Sequence, residues 1–222
     1  METLLLGIDD SGRGPVIGPM ILAGCFIDSE IEKEFRSLGV RDSKQITPRR
    51  REFLAEEIRK KAKAFDVVVI SPEEIDKSKD KGIKLNELEA LAAAKIINNI
   101  NKGKGKIKIV LDCPSTSIKK WGDFLKMHIK NLSNLEIFCE HKADKNHVSV
   151  SAASILAKSE REKQMDKLKK KYGRKIGSGY TSDPKTQKFV AKNAKNHKGL
   201  FRKSWSTWKK AASKSEQKKL EF

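Results

Sequence analysis

Short apolar runs alternate with longer stretches of helical period along most of this chain. The runs at 3–9, 17–27, 65–71, 107–112 and 135–140 read as strands. Apolar positions three and four apart predict helices over 29–38, 48–64, 85–101, 118–131, 150–172 and 184–196, with a basic helix from about Lys203. Thr47-Pro48 offers an N-cap followed by proline at the first helical position. Ser71-Pro72-Glu73-Glu74 offers another helix start, with acids in its first turn. Gly103 and Gly105 interrupt the chain before "IKIVLD". The helix from Val150 changes character midway. "VSAASILA" is small or apolar on every side, as a buried segment is, whereas "EKQMDKLKKKY" is amphipathic, with Met165, Leu168 and Tyr172 at i, i+3 and i+7. The economical architecture is α/β: one mixed sheet flanked by helices, with a helical C-terminal region.

Composition narrows the class. A chain of 222 residues with 37% hydrophobic side chains suits one large α/β domain, or one domain with an appendage. Its apolar runs are too short to cross a bilayer, and no basic flank precedes the first of them. These features predict a soluble, cytoplasmic protein. Cys25, Cys113 and Cys139 are odd in number and far apart, which predicts free thiols on strands rather than a disulfide framework. The net charge of +19 is unevenly spread, at +3 over residues 1–111 and +16 over 112–222. Residues 184–215 hold ten basic side chains and no acid. With Phe189, Phe201, Trp205 and Trp208 interleaved, this block predicts a polyanion-binding surface.

The acids point to chemistry. Asp9 ends one strand with Asp10 beside it, Asp112 ends another, and Glu140 ends a third with Asp144 four residues on. Strand C-termini of open α/β sheets are ligand sites. If these strands are neighbours, Asp9, Asp10, Asp112 and Asp144 converge and repel one another unless a hard divalent cation compensates them. Two such ions suit in-line phosphoryl displacement. Asp112, before Pro114 and Ser115, also suits a plain turn. The glycines of 12–18 miss the dinucleotide spacing by one residue, and there is no P-loop. Cys139, His141 and His147 lack a second paired zinc ligand. His128 and His197 lie in basic helical stretches and read as solvent-facing.

"GIDDSGRGPVIGPM" resembles the first motif of the type 2 ribonucleases H, the ribonuclease HII group, in an archaeal-like form. "RDSKQIT", "VLDCPS", "EHKADKNHVSVSAASILAKSERE" and "GSGYTSDPKT" resemble its further blocks in the family's order, from Gly7 to about Trp208. The resemblance implies an RNase H-like catalytic domain over 1–175. Over 176–222 it implies a basic helical region that packs on that domain and binds duplex. It also implies hydrolysis of RNA in RNA–DNA hybrids and cleavage 5′ of ribonucleotides embedded in DNA, leaving 3′-hydroxyl and 5′-phosphate ends.

Carried over by motif, Asp9, Asp10, Asp112 and Asp144 would hold two Mg²⁺ or Mn²⁺ ions. The backbone of Gly12, Arg13 and Gly14 would meet the ribose 2′-hydroxyl, and Tyr180 would pack on the neighbouring deoxyribose. Lys44, Lys158 and Arg161 would hold phosphates. Asp10 stands where the family usually has Glu, Ser11 where it has Ala, and Thr181 where it has Pro. The protein is expected to act as a monomer. Its tail, with Gln217, Leu220 and Phe222, resembles a sliding-clamp peptide one residue short.

Overall fold

The strand runs form one mixed sheet in the computed structural model, which describes residues 4–40, 46–197 and 199–220. Strands β1 (Leu4–Ser11), β2 (Met20–Ile27), β3 (Ala64–Ile70), β4 (Ile107–Asp112) and β5 (Leu135–Glu140) lie in the order β3-β2-β1-β4-β5. β1 runs antiparallel to β2 and parallel to β4, and β4 runs parallel to β5. The registers Ile8↔Leu111 and Asp112↔Glu140 carry the acid-bearing ends of β1, β4 and β5 to the same side of the sheet.

The helices are α1 (Ser29–Ser37), α2 (Pro48–Lys61), α3 (Pro72–Asp80), α4 (Leu85–Ile100), α5 (Ile118–Lys126), α6 (Ala143–Asn146), α7 (Val148–Tyr172), α8 (Pro184–Asn193) and α9 (Ser206–Leu220). The chain divides into two compact units. The first comprises 1–11, 21–68 and 85–160; the second comprises 12–20, 69–84 and 161–222. In the first, Ile21, Cys25 and Ile27 of β2 pack with Phe35, Leu54, Ile58, Ala152 and Leu156. In the second, Val16, Ile17, Met165, Ile176, Phe189 and Phe201 form the core, with Leu168, Tyr172, Trp205 and Trp208 packed against it. The apolar i, i+3, i+7 stripe of α7 is thus its buried face there.

Several elements depart from the sequence expectation. The strand expected from residue 17 starts at Met20. Pro15 and Pro19 cannot donate to a ladder, Gly18 takes φ +85°, and Ile17 makes a lone bridge to Phe201. The helix expected over 118–131 stops at Lys126. The 71–74 start opens α3, where Ser71 and Glu74 form a reciprocal capping box. The long helix begins at Val148, after the single turn of α6 that follows Lys142 at φ 58°. The aromatics of the basic block are not a surface lattice. Phe189 and Phe201 are buried, and Trp208 donates to the Ala194 carbonyl at 2.9 Å. His197 is half-buried and stacks on Phe189, whereas His128 is exposed as expected. All three cysteines are free, with Cys25 on β2, Cys139 on β5 and Cys113 just past β4. No described helix is long and apolar enough to cross a membrane.

The central contact of the first unit is at Gly7. A Cβ there would fall inside the Ser149–Val150 peptide of α7, so the strand and helix backbones touch directly. Gly7→Ala must push α7 off β1 or bend the strand. It is expected to lower the melting midpoint by more than about 10 °C, measured by circular dichroism. An unchanged midpoint would show that this packing is dispensable.

Candidate active site

The first unit gathers acids around one small cavity. Asp9, Asp10, Asp112 and Glu89 line it together with Ile8, Leu22, Ala93, Leu111, Pro114 and Trp121. Its volume is about 10 Å³, room for one water-sized body or small ion. Asp9 is only 6% exposed. Its Oδ1 accepts the Asp10 N–H at 2.7 Å, and the Ser154 hydroxyl of α7 also bonds its carboxylate. Lys158, one turn further along α7, donates to Ser154 Oγ at 3.2 Å. A cation is therefore linked to Asp9 through one hydroxyl. Asp112 Oδ1 accepts the Ala143 N–H at 3.0 Å, which ties the end of β4 to the first turn of α6. The next residue is Asp144, 3% exposed, whose carbonyl accepts from Ser151. Glu140 faces Asp112 across the ladder, but its Oε2 lies 3.0 Å from His147 Nε2.

Electrostatics marks Asp9 as the strained member. Burial, then the charges of Asp10 and Asp112, push its carboxyl up to about 8, against the pull of Ser154 and the Asp10 amide. A carboxylate held so far above its ordinary value is short of positive charge. Among the described residues, no three His, Cys, Asp or Glu side chains already stand in ligating positions about one point. The donors nevertheless fit a hard divalent cation in kind, being carboxylate oxygens round a cavity of ionic size with Asp9 uncompensated. His141 Nδ1 lies 3.0 Å from the Cys113 carbonyl, and His147 Nε2 lies 3.0 Å from Glu140 Oε2.

The second unit holds the glycine loop. Gly12 adopts φ +83°, and a Cβ on it would strike the Arg161 side chain. Arg161 is 8% exposed, donates to the Ser178 carbonyl at 3.2 Å and stacks 5.0 Å from the Tyr180 ring centroid. Gly14 faces the same ring, with an ideal Cβ 4.0 Å from Tyr180 Cε1. Tyr180 itself is exposed, as a residue that meets a ligand must be. Asp183 caps α8 rather than joining any acid cluster. It accepts from Ser178 N at 2.7 Å and Lys185 N at 2.9 Å, bonds that hold its carboxyl down to about 2.

Of the expected site residues, Asp9, Asp10 and Asp112 thus share one cavity, and Asp144 lies beside the amide that Asp112 holds. Gly12, Gly14, Arg161 and Tyr180 form a second cluster, with Arg13 between the two glycines. Lys158 reaches Ser154, and Lys44 lies outside the described residues. Glu89 and Ser154 escaped the sequence reading. Glu89 carried a legible signal: it heads the stripe Glu89, Ala93, Ile96, Ile97, Ile100 on the buried face of α4, where an acid is out of place.

The raised Asp9 value has a signed consequence. Between about pH 4 and 8 the folded metal-free protein keeps a proton that the unfolded chain has released, so stability falls as pH rises through that window. In EDTA the melting midpoint should drop by about 5 °C or more from pH 5 to 8 beyond any drop in Asp9→Asn. Mn²⁺ should restore it at pH 8 in the native chain only. Parallel pH profiles for the two proteins would refute the account.

The profile of the family described as Ribonuclease HII matches residues 6–208. A ribonuclease HII of Methanocaldococcus jannaschii is 40% identical over 229 aligned positions, covering 98% of each chain. The crystal structure of ribonuclease H2 from Pyrococcus horikoshii superimposes with a TM-score of 0.86 at 34% identity, covering 96% of this chain and 99% of that one. The structure of a PCNA:RNase HII complex from Archaeoglobus fulgidus gives 0.78 at 36% identity, over 93% and 94%. Similarity of this extent, on a fold that sets Asp9, Asp10 and Asp112 round one cavity, places the chain in the ribonuclease HII family of metal-dependent endoribonucleases, which cleave the RNA strand of RNA–DNA hybrids.

Proposed function

We propose that this chain also incises duplex DNA on the 5′ side of an embedded ribonucleotide, using two Mg²⁺ or Mn²⁺ ions held by Asp9, Asp10, Asp112 and Asp144. The observation that carries the reading is the buried, charge-starved Asp9 beside Asp10 and Asp112. When bound, the ions would activate a water and stabilise the leaving oxygen. Water oxygen bonds to phosphorus, the P–O3′ bond breaks, and O3′ leaves as a hydroxyl while the ribonucleotide keeps the 5′-phosphate.

The chain's own residues supply the rigidity. Ser154 and the Asp10 amide orient Asp9, and the Ala143 amide orients Asp112. Gly12, Arg13 and Gly14 present backbone to the ribose 2′-hydroxyl, one residue along the chain from the end of β1. Tyr180, backed by Arg161, packs on the neighbouring deoxyribose. Lys44 and Lys158 supply phosphate contacts. Arg161 adds its charge from beneath Tyr180. Residues 1–175 form the catalytic domain and the basic region 176–222 contacts duplex. The protein works as a cytoplasmic monomer in replication and repair.

A duplex carrying one ribonucleotide tests the reading. Cleavage at that residue is expected with Mg²⁺ or Mn²⁺, and none with EDTA or with an all-DNA duplex. Intact substrate under both metals would refute it. Asp9→Asn should lower turnover by about 10³-fold or more while leaving duplex affinity largely intact. Asp10→Glu should preserve or raise activity, because it restores the family's longer acid; loss of activity would show that Asp10 is not its shortened equivalent.

The Archaeoglobus fulgidus relative was solved with PCNA, which supports a clamp partner here through Gln217, Leu220 and Phe222. The backbone of 206–220 is helical; the side chains of Gln217 and Leu220, and Phe222 as a whole, lie outside the described residues. Immobilised clamp should retain the full chain but not one ending at Glu216. Equal retention would exclude this tail as the contact.

A further inference from the structure

Arg202 is 0% exposed, among the largest fully buried side chains of the protein. A buried guanidinium is costly unless its donors are matched. Here one loop supplies the acceptors. Nε donates to the Gly18 carbonyl at 3.0 Å, Nη1 to that of Arg13 at 2.6 Å and Nη2 to that of Gly12 at 2.6 Å. The Arg202 N–H adds a bond to the Val16 carbonyl at 2.9 Å. The guanidinium lies 5.1 Å from the Trp205 ring centroid, and Trp205 Nε1 donates to the Gly14 carbonyl at 3.0 Å. The carbonyls of Gly12, Arg13 and Gly14, three consecutive residues, are therefore all drawn toward two side chains.

That has a geometric result. None of these peptides is cis, and in a trans peptide the N–H points opposite to the C=O. Turning the Gly12 and Arg13 carbonyls onto Arg202 turns the Arg13 and Gly14 N–H groups to the other side. Successive amides on one side form a concave donor pair that suits an oxygen ligand. The positive φ of Gly12 permits the turn, and Pro15 ends the run because it has no N–H. Lysine could not reproduce this, because only the planar guanidinium fork reaches three acceptors in fixed directions.

We propose that Arg202 and Trp205 are the positioning residues of ribose recognition: by pinning three carbonyls inward they hold the Arg13 and Gly14 amides ready for a ribose hydroxyl. This rests on the reading that the 12–14 backbone meets the 2′-hydroxyl. Donors fixed before the ligand arrives need no reorganisation on binding, so the pair governs discrimination between ribose and deoxyribose rather than general duplex affinity.

The test measures binding in Ca²⁺ of two duplexes that differ only in one 2′-hydroxyl, with native protein, Arg202→Lys and Trp205→Phe. The second variant keeps the ring beneath the guanidinium and removes only the indole donor. The native chain should prefer the ribonucleotide duplex. That preference should fall about tenfold in Arg202→Lys and about threefold in Trp205→Phe, with all-DNA affinity changed less than about twofold and an unaltered salt slope. A native chain with no preference refutes the 2′-hydroxyl reading itself. A native preference that persists in a folded variant refutes the positioning role alone. Should Arg202→Lys fail to fold by circular dichroism, Trp205→Phe decides the proposal in the same way.

Discussion

The direct backbone contact between β1 and α7 at Gly7 is the constraint from which the acid site follows. Because no side chain separates them, α7 lies close enough for Ser154, about a turn and a half past Ser149, to reach Asp9 two residues along the strand. The same helix then carries Lys158 to that hydroxyl. The short α6 immediately before α7 is tied to β4 by Asp112. One missing methyl group thus sets the spacing of the strand that bears Asp9, the helix that orients it and the turn that bears Asp144.

Burial and like charge act together on this frame. An exposed aspartate pair would be screened and cheap. Asp9, nearly sealed and facing Asp10 and Asp112, instead has its carboxyl pushed up to about 8. The protein bears that cost in folded structure, as functional sites commonly do. Apolar neighbours Ile8, Leu22, Ala93 and Leu111 line the same cavity. Under the proposed two-ion reading, a cation bound there would remove that cost.

Much of this was legible in the sequence, and the limits are physical. β4 and β5 match their expected bounds because each is an apolar run, interrupted only by a charged second residue (Lys108, Glu136), that ends in an acid. Adjacency of β1, β4 and β5 was only an assumption, since strand order is a long-range property; the parallel registers supply it. The prolines of 15–19 overruled an apolar run that otherwise continues the next strand. Glu89 was hidden because a single acid on an alanine-rich helix looks like a surface residue until its neighbours are counted by helical face. Within the basic block, composition does not distinguish inward from outward residues: the apolar ring faces help close the core of the second unit, and the Arg202 guanidinium bonds backbone carbonyls.

Arg202 also shows why net charge is a coarse guide to binding. Of the ten cations between residues 184 and 215, one is spent entirely inside the fold. Its guanidinium sets the direction of peptide dipoles in a glycine loop rather than adding to the surface field. The paired aspartates and the glycine loop are adjacent in sequence, yet the chain supports them by opposite means. The acids are kept short of positive charge by burial, whereas the loop carbonyls are saturated by a buried cation so that the amides face outward. Both arrangements fix polar groups before any ligand is present, and in both the fixing group (Ser154 for Asp9, Arg202 for the loop) comes from a distant part of the chain.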